Sequence, residues 1–489
     1  MHPFLLALLT LQIPLFAAPA ENAPNFIFFI ADDVSQEDFG CYGHPSIQTP
    51  NVDALAANGM RFDNAYLTTS SCSPSRCSII TGRYPHNTGA PELHSKLPDS
   101  QTRFPELLRQ AGYYTALSGK NHMFGNKDRA FDLITQGGGP GKEDDWVQIV
   151  NDRPSDRPFF FWFASSDAHR VWQKSEHAPE YALEEVVVPP FLIDSETTRQ
   201  DLADYYHEVS RFDHFIGLVV AKLKEQDVFE NTVIVVAADN GRPFPRCKSR
   251  LYDSGIKTPW VVSYPELIRN ASTTNSLVSS IDLSATLLEL AGLEKPETIQ
   301  GQSFLPILRD PQARTRDMVF SEHNWHVYKN HERMVRFGDY LYIKNNYPDQ
   351  PNLCSEAFSP PSGKDLWEAH AKGKTNTFQQ QVFANPCPEE ELYRVTDEPH
   401  QFTNLASNPE HAQALTKARQ LISDWSTQTG DSIPTNPTPH RSPPPFIEDG
   451  KIVFPKPDKK GPRNPHAEFP GQSNNATQIN QPGPIRFPK

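Results

Sequence analysis

Ser71-Cys72-Ser73-Pro74-Ser75-Arg76-Cys77 carries more reactive chemistry than any other short stretch of this chain. Pro74 suits the first turn of a helix, because it lacks an N–H that would have no partner there. Cys72 then sits at the positive end of that helix, and Arg76, four residues on, returns to the same face. A helix N-terminus together with a guanidinium makes a site for an anion. The residues alone leave Cys72 open between a thiolate nucleophile and a disulfide partner for Cys77.

Further groups suited to such a site follow apolar runs. Asp32-Asp33 and Asp239-Asn240-Gly241 offer oxygen donors, which suit a hard cation such as Ca²⁺ or Mg²⁺. Lys120 and His122 follow Tyr113–Leu117, and His169 follows Pro158–Ala164. Imidazoles move protons near neutral pH, and lysines offset anionic charge.

The elements that must position these groups are strands. Asn25–Ala31, Tyr113–Leu117, Pro158–Ala164 and Thr232–Ala238 are apolar runs, as expected for strands buried on both faces. Helical stretches at Pro105–Ala111 and Thr197–Gln226 lie between them. The alternation predicts an α/β fold with a large, mainly parallel sheet flanked by helices. In such sheets ligands bind beyond the carboxyl ends of the strands, where these polar residues fall.

The Cys72-x-Pro-Ser-Arg76 motif, with Thr81-Gly82-Arg83 after it, resembles that of the type I sulfatases, members of the alkaline-phosphatase-like superfamily. The resemblance runs from about Asn25 to about Leu405. It implies that a maturation enzyme oxidises Cys72 to formylglycine, whose hydrate is the nucleophile. Asp32, Asp33, Asp239 and Asn240 match the family's Ca²⁺ or Mg²⁺ ligands, with residue 72 facing the ion. Gly119-Lys120-Asn121-His122 resembles the family's Gly-Lys-x-His element, and Asp167-Ala168-His169 its second histidine step. Lys248 falls on the sulfate-contacting lysine by spacing, and Lys257 on a structural position before Pro259. There the family's Glu-Gly-Gly becomes Asp253-Ser254-Gly255.

The implied reaction is hydrolysis of a sulfate ester on a carbohydrate. Arg76, Lys120 and Lys248 offset charge on the sulfuryl oxygens. His169 gives a proton to the leaving alcohol, and His122 takes one from the remaining hydroxyl as sulfate is expelled. The links at Gly241–Cys247 and Asp167–Arg170 are similar to the N-sulfoglucosamine sulfohydrolase branch, which makes S–N cleavage in an N-sulfated glucosamine the first alternative. A phosphohydrolase using unmodified Cys72 or a serine, and a silent binder of sulfated glycans, are the others.

Composition narrows the partners. The 489 residues carry 46 Lys+Arg against 59 Asp+Glu, a formal charge of −13, which argues against nucleic acid as a partner. A small basic pocket for an anion is still compatible with that charge. Residues 1–20 read as an export signal, with Phe4–Ala18 largely apolar and Ala18-Pro19-Ala20 at the cleavage positions. Together with the lack of any later spanning run, this predicts a secreted or periplasmic protein.

The expected organisation is a catalytic domain over 21–315, a smaller C-terminal subdomain with an antiparallel sheet over 316–430, and an extended tail over 431–489. Within the subdomain, Met334–Lys344 alternates as a hairpin turning at Gly338-Asp339. Ala412–Gln428 reads as a closing helix with Leu415, Leu421, Ile422 and Trp425 on its apolar stripe. Glu322-His323-Asn324-Trp325-His326 reads first as an ordinary polar loop, although its groups suit gripping a sugar. The tail holds fourteen of the 46 prolines, a composition for wrapping or extended chain. Of six cysteines, modification of one leaves an odd number. Cys354 and Cys387 are the expected disulfide.

Overall fold

The computed structural model describes residues 22–351, 353, 355–455 and 466–487. The expected export segment and Cys354 lie outside the described residues, and with Cys354 the expected disulfide.

The first ten strands are β1 (Asn25–Ala31), β2 (Met60–Phe62), β3 (Ala65–Tyr66), β4 (Tyr114–Gly119), β5 (Leu133–Thr135), β6 (Phe159–Ala164), β7 (Thr232–Ala238), β8 (Trp260–Ser263), β9 (Ser272–Thr274) and β10 (Val278–Ser279). All but β3 and β10 form one eight-stranded sheet in the order β5-β4-β6-β1-β7-β8-β2-β9, and β3 pairs β10 separately. Neighbours are parallel from β5 to β7, whereas β8 runs antiparallel to both β7 and β2.

Successive side chains of a strand point to opposite faces. Along β1, Phe26, Phe28 and Ile30 join one core and Ile27, Phe29 and Ala31 the other. The first core takes Ile79 and Ile80 from the helix Cys72–Thr81, and Leu108 from Phe104–Gln110. The second takes Phe212, Ile216 and Val219 from the long helix Glu196–Glu225. Both faces are therefore covered, and the continuous apolar runs of the central strands follow from that. Each fully buried Phe contributes about 1.5–3 kcal/mol.

β11 (Met318–His323), β12 (Glu332–Phe337), β13 (Tyr340–Asn345) and β14 (Glu390–Arg394) make the smaller antiparallel sheet. Gly338 turns β12 into β13 at φ +50°, in the left-handed region. The helix Ala412–Thr429 packs Leu415, Leu421, Ile422 and Trp425 against this sheet.

One reading changes. Glu322 and His323 complete β11, and the whole of Glu322–His326 is buried, so this stretch is not an open polar loop. Several polar atoms there have internal partners: Glu322 accepts from the His86 N–H (2.7 Å), and Trp325 donates to the Pro439 carbonyl (2.7 Å). The tail forms the hairpin β15 (Phe446–Glu448) and β16 (Lys451–Val453), and its last turns close over Arg83. Arg83 donates to Asn87, Thr298, Thr477 and Ile479 carbonyls and to Asn480 Oδ1.

Candidate active site

β4, β6, β1 and β7 are adjacent and parallel, so their carboxyl ends share one edge of the sheet. Asp32 and Asp33 follow β1, Lys120 follows β4, Asp167 lies three residues past β6, and Asp239 and Asn240 follow β7. Gly119 makes the delivery of Lys120 possible. At φ +93° a Cβ there would meet the Ala164 carbonyl oxygen at 2.0 Å, so no side chain fits where β4 leaves β6.

The helix Cys72–Thr81 points its start at this edge. Ser71 is its N-cap, and Gly82 ends it in the left-handed conformation at φ +65°. Cys72 and Cys77 are both buried and neither is in a disulfide, which closes the pairing left open by the residues alone. Cys77 belongs to the apolar core.

Around Cys72 the charges interlock. Its Sγ lies 3.9 Å from Asp33 Oδ1. Arg76 Nε donates to Asp239 Oδ2 at 2.7 Å and Nη1 to the Lys120 carbonyl at 2.8 Å. Lys120 Nζ bonds Asp32 Oδ2, and Lys248 Nζ bonds Asp33 Oδ2 at 2.7 Å. Asn240 Nδ2 donates to Asp33 Oδ1 at 2.6 Å, and the Asp33 N–H to Asp239 Oδ1 at 3.2 Å. Lys248 is 1% exposed. Burial alone would lower the pKa of Lys248, but Asp33 and the other acids overcome it and hold the lysine charged. Burial also pushes the Cys72 thiol up to about 12 against the pull of Lys120 and Lys248, so the thiol is protonated at neutral pH.

The donor set fits a hard cation. Asp32 Oδ1 and Asn240 Oδ1 are buried with no hydrogen-bond partner among the described residues. Ligand atoms of Asp32, Asp33 and Cys72 lie within 4.8 Å of one another. Oxygens of this kind, left without donors in a buried site, are what a divalent ion requires. A second acidic group, His86–Glu322–Asp431, is instead internally satisfied: His86 Nδ1 meets Glu322 Oε2 at 2.6 Å, and Asp431 takes both guanidinium arms of Arg333.

Of the residues singled out in the sequence, Asp32, Asp33, Cys72, Arg76, Lys120, Lys248, Asp239 and Asn240 form this one cluster. His122 borders it. Burial first, then Lys120, Arg76 and His94, push its pKa down to about 2, so its ring is neutral. His169 stands apart. It is exposed, with Nδ1 2.6 Å from the Arg170 carbonyl, although its segment is stitched to the site through the Asp32 N–H to Asp167 O bond (2.7 Å).

Two neighbours, His94 and Arg211, escaped sequence reasoning, and a third, His326, was read only as part of a polar loop. His94 Nδ1 lies 2.7 Å from His122 Nε2, and the His94 N–H donates to Ser73 Oγ. His326 Nδ1 bonds the N-cap hydroxyl of Ser71 at 2.8 Å. Arg211 clasps Asp167 through two bonds of 2.7 and 2.6 Å from the far side of the sheet. Each acts across a long sequence separation, and no local spacing marks it.

The family model for sulfatases matches residues 24–141 and 143–293, and that for the N-sulphoglucosamine sulphohydrolase C-terminal region matches 247–346. The chain belongs to the sulfatase family. It is an enzyme of the sulfuric ester hydrolase class. An ulvan-active sulfatase of Formosa agariphila is 28% identical over 83% of this chain and 75% of its own length. Human N-sulphoglucosamine sulphohydrolase is 29% identical over 83% of this chain and 90% of its own. A solved structure in complex with its substrate D-glucosamine-2-N,6-O-disulfate shares the fold, with a TM-score of 0.65 at 21% identity over 83% of this chain and 98% of that one. In this sulfatase residues 347–389, between β13 and β14, and the whole tail fall outside both family models.

Proposed function

We propose that this sulfatase hydrolyses a sulfate ester on a sulfated carbohydrate, with residue 72 as formylglycine. The observation that carries the reading is the convergence of Arg76, Lys120 and Lys248 on acids grouped around a buried residue 72 at a helix N-terminus. A maturation enzyme supplies the aldehyde, whose hydrate brings an oxygen nucleophile in place of the protonated thiol. Asp32, Asp33, Asp239 and Asn240 would hold Ca²⁺, or Mg²⁺ in its place, adding positive charge where sulfate oxygens bind.

The chain's own residues then divide the work. Arg76, Lys120 and Lys248 bind the sulfuryl oxygens and offset charge as the S–O bond breaks. His122 is neutral, and with Nε2 engaged by His94 its buried Nδ1 is the atom to accept a proton from residue 72. His169, on the exposed rim, suits donation to the departing alcohol, which leaves toward solvent. The export segment agrees with an extracytoplasmic sulfated glycan as substrate, and relatives act on ulvan or N-sulphoglucosamine.

The match of 247–346 to the N-sulphoglucosamine sulphohydrolase region favours S–N cleavage as the second reading. Sulfate release from a panel of defined O-sulfated and N-sulfated saccharides tests both. Release from O-sulfated sugars supports the first, release confined to N-sulfated glucosamine supports the second, and release from none overturns both.

A further inference from the structure

Residues 347–389, between β13 and β14, lie beyond both family models, yet they bring a carboxylate to the proposed sulfate pocket. The segment is anchored on the long helix. Ser362 donates to Asp201 Oδ2 through N–H and Oγ (3.2 and 2.6 Å), and Asp365 accepts from Ser195 and Thr198 at that helix's start. Trp367 Nε1 then donates to the Ala357 carbonyl at 3.0 Å, fixing the short turn Ser355–Ala357. The turn sets Glu356 Oε1 3.6 Å from Lys248 Nζ, with the Glu356 side chain 12% exposed and that of Lys248 1%.

A carboxylate at this place is unfavourable for anion binding, because it repels the sulfate that Lys248 is placed to receive. Lys248 does not need it for neutralisation, since Asp33 already bonds it at 2.7 Å. Of the two carboxylates beside Lys248, Glu356 at 12% exposure is more open than Asp33 at 1%, and the proposed placement of sulfate at Lys248 puts the sugar toward the more open one. A carboxylate there is repaid by a donor on the substrate and penalised by a second anion.

We propose that Glu356 is a specificity-determining residue, which accepts a hydrogen bond from a hydroxyl or amine next to the sulfated carbon and turns away sugars carrying a second sulfate or a carboxylate at that position. The inference rests on the proposed placement of sulfate at Lys248. It makes the substrate a saccharide whose reacting residue is singly anionic around the scissile sulfate.

The test compares full-length, matured wild type with Glu356→Gln and Glu356→Ala. The first readout is kcat/KM on a monosulfated pyranoside and on its vicinally disulfated counterpart. The second is thermal protection by inorganic sulfate. Wild type favours the monosulfated sugar; Glu356→Gln keeps an acceptor without the charge, so the preference falls about tenfold. Glu356→Ala also loses about tenfold on the monosulfated sugar. Both variants are protected by sulfate at lower concentration than wild type. An unchanged preference, or unchanged sulfate protection in both variants, overturns the assignment. A wild type that releases sulfate from no saccharide overturns the catalytic reading instead, and the protection measurement then judges Glu356 by itself.

Discussion

His94 Nδ1 and His122 Nε2 lie 2.7 Å apart, so Nε2 is engaged by a neighbouring ring, while Nδ1 is buried with no hydrogen-bond partner among the described residues. In the tautomer whose Nε2–H donates to His94, the neutral His122 ring has a bare Nδ1 for the proton transfer proposed above. Substituting His122 with Ala is expected to lower kcat by ~10²–10⁴-fold, as for loss of a proton-transferring group. His94→Ala is expected to cost about tenfold in kcat with KM nearly constant, because His94 sets the tautomer and does not hold sulfate. Steady-state kinetics on one sulfated saccharide separate the two; equal losses, or a loss in KM alone for His94→Ala, contradict this role.

The proposed cation site predicts a chelation effect. Asp32, Asp33 and Asp239 share one buried cluster, and Asp32 Oδ1 and Asn240 Oδ1 lack donors. A saturating ion bound only to the folded state stabilises it by ~2–4 kcal/mol. Dialysis against a chelator is therefore expected to lower the melting temperature by several degrees and abolish sulfate release, with Ca²⁺ or Mg²⁺ restoring both. An unchanged melting temperature contradicts a resident ion.

Much of this cluster was legible in the sequence because Asp32, Asp33, Lys120, Asp239 and Asn240 follow strands and Cys72 starts a helix, whereas Lys248 was marked only by the family resemblance. Asp32 and Asp239 are each one residue past an apolar run, so the fold class alone places them on one sheet edge. His94 was not legible. It sits on a loop with φ +64° and reaches His122 across 28 residues, with no periodicity to reveal it. The Glu322–His326 stretch misled for the opposite reason: polar residues suggested solvent, but Arg333, His86 and Ser71 meet Asn324, Glu322 and His326 in the interior. Composition identified the tail as irregular chain, yet the acceptors it brings to Arg83 are mainly backbone carbonyls, which no side-chain pattern encodes.

A pH effect follows from His331, which is buried and accepts from Arg333 Nη2 at Nε2 (2.8 Å). Arginine can only donate, so His331 is neutral there, and burial followed by the Arg333 charge pushes its pKa from 6.5 down to about 3. The stability from the neutral ring is complete above pH 6.5. It declines as the pH falls toward 3, because the unfolded chain takes up the proton first, at about 1.4 kcal/mol per pH unit. Asp38 and Asp213, raised by burial to about 6, act in the opposite direction, so the comparison must be with a variant. His331→Asn is expected to be less stable at pH 7 but to lose less between pH 6.5 and 3. Parallel denaturation curves across that range contradict it.

Truncation after Gly471 is expected to destabilise the whole chain. It removes Asn480 Oδ1 and the Thr477 and Ile479 carbonyls from Arg83, and the Ala476 carbonyl from Asn87. Each buried donor left without an acceptor costs roughly 1–3 kcal/mol. The truncated chain should melt at least several degrees lower, and a melting temperature equal to that of the full chain contradicts the strap.

The central claim is that residue 72 is not a cysteine in the working enzyme. Peptide mass spectrometry across Thr68–Arg83, on chain produced in a host with the maturation enzyme, tests it most directly. The expected result is a peptide in which the Cys72 side chain has lost its sulfur and gained an aldehyde oxygen, with sulfate release tracking the converted fraction. An unmodified Cys72 in a preparation that still releases sulfate would contradict the account.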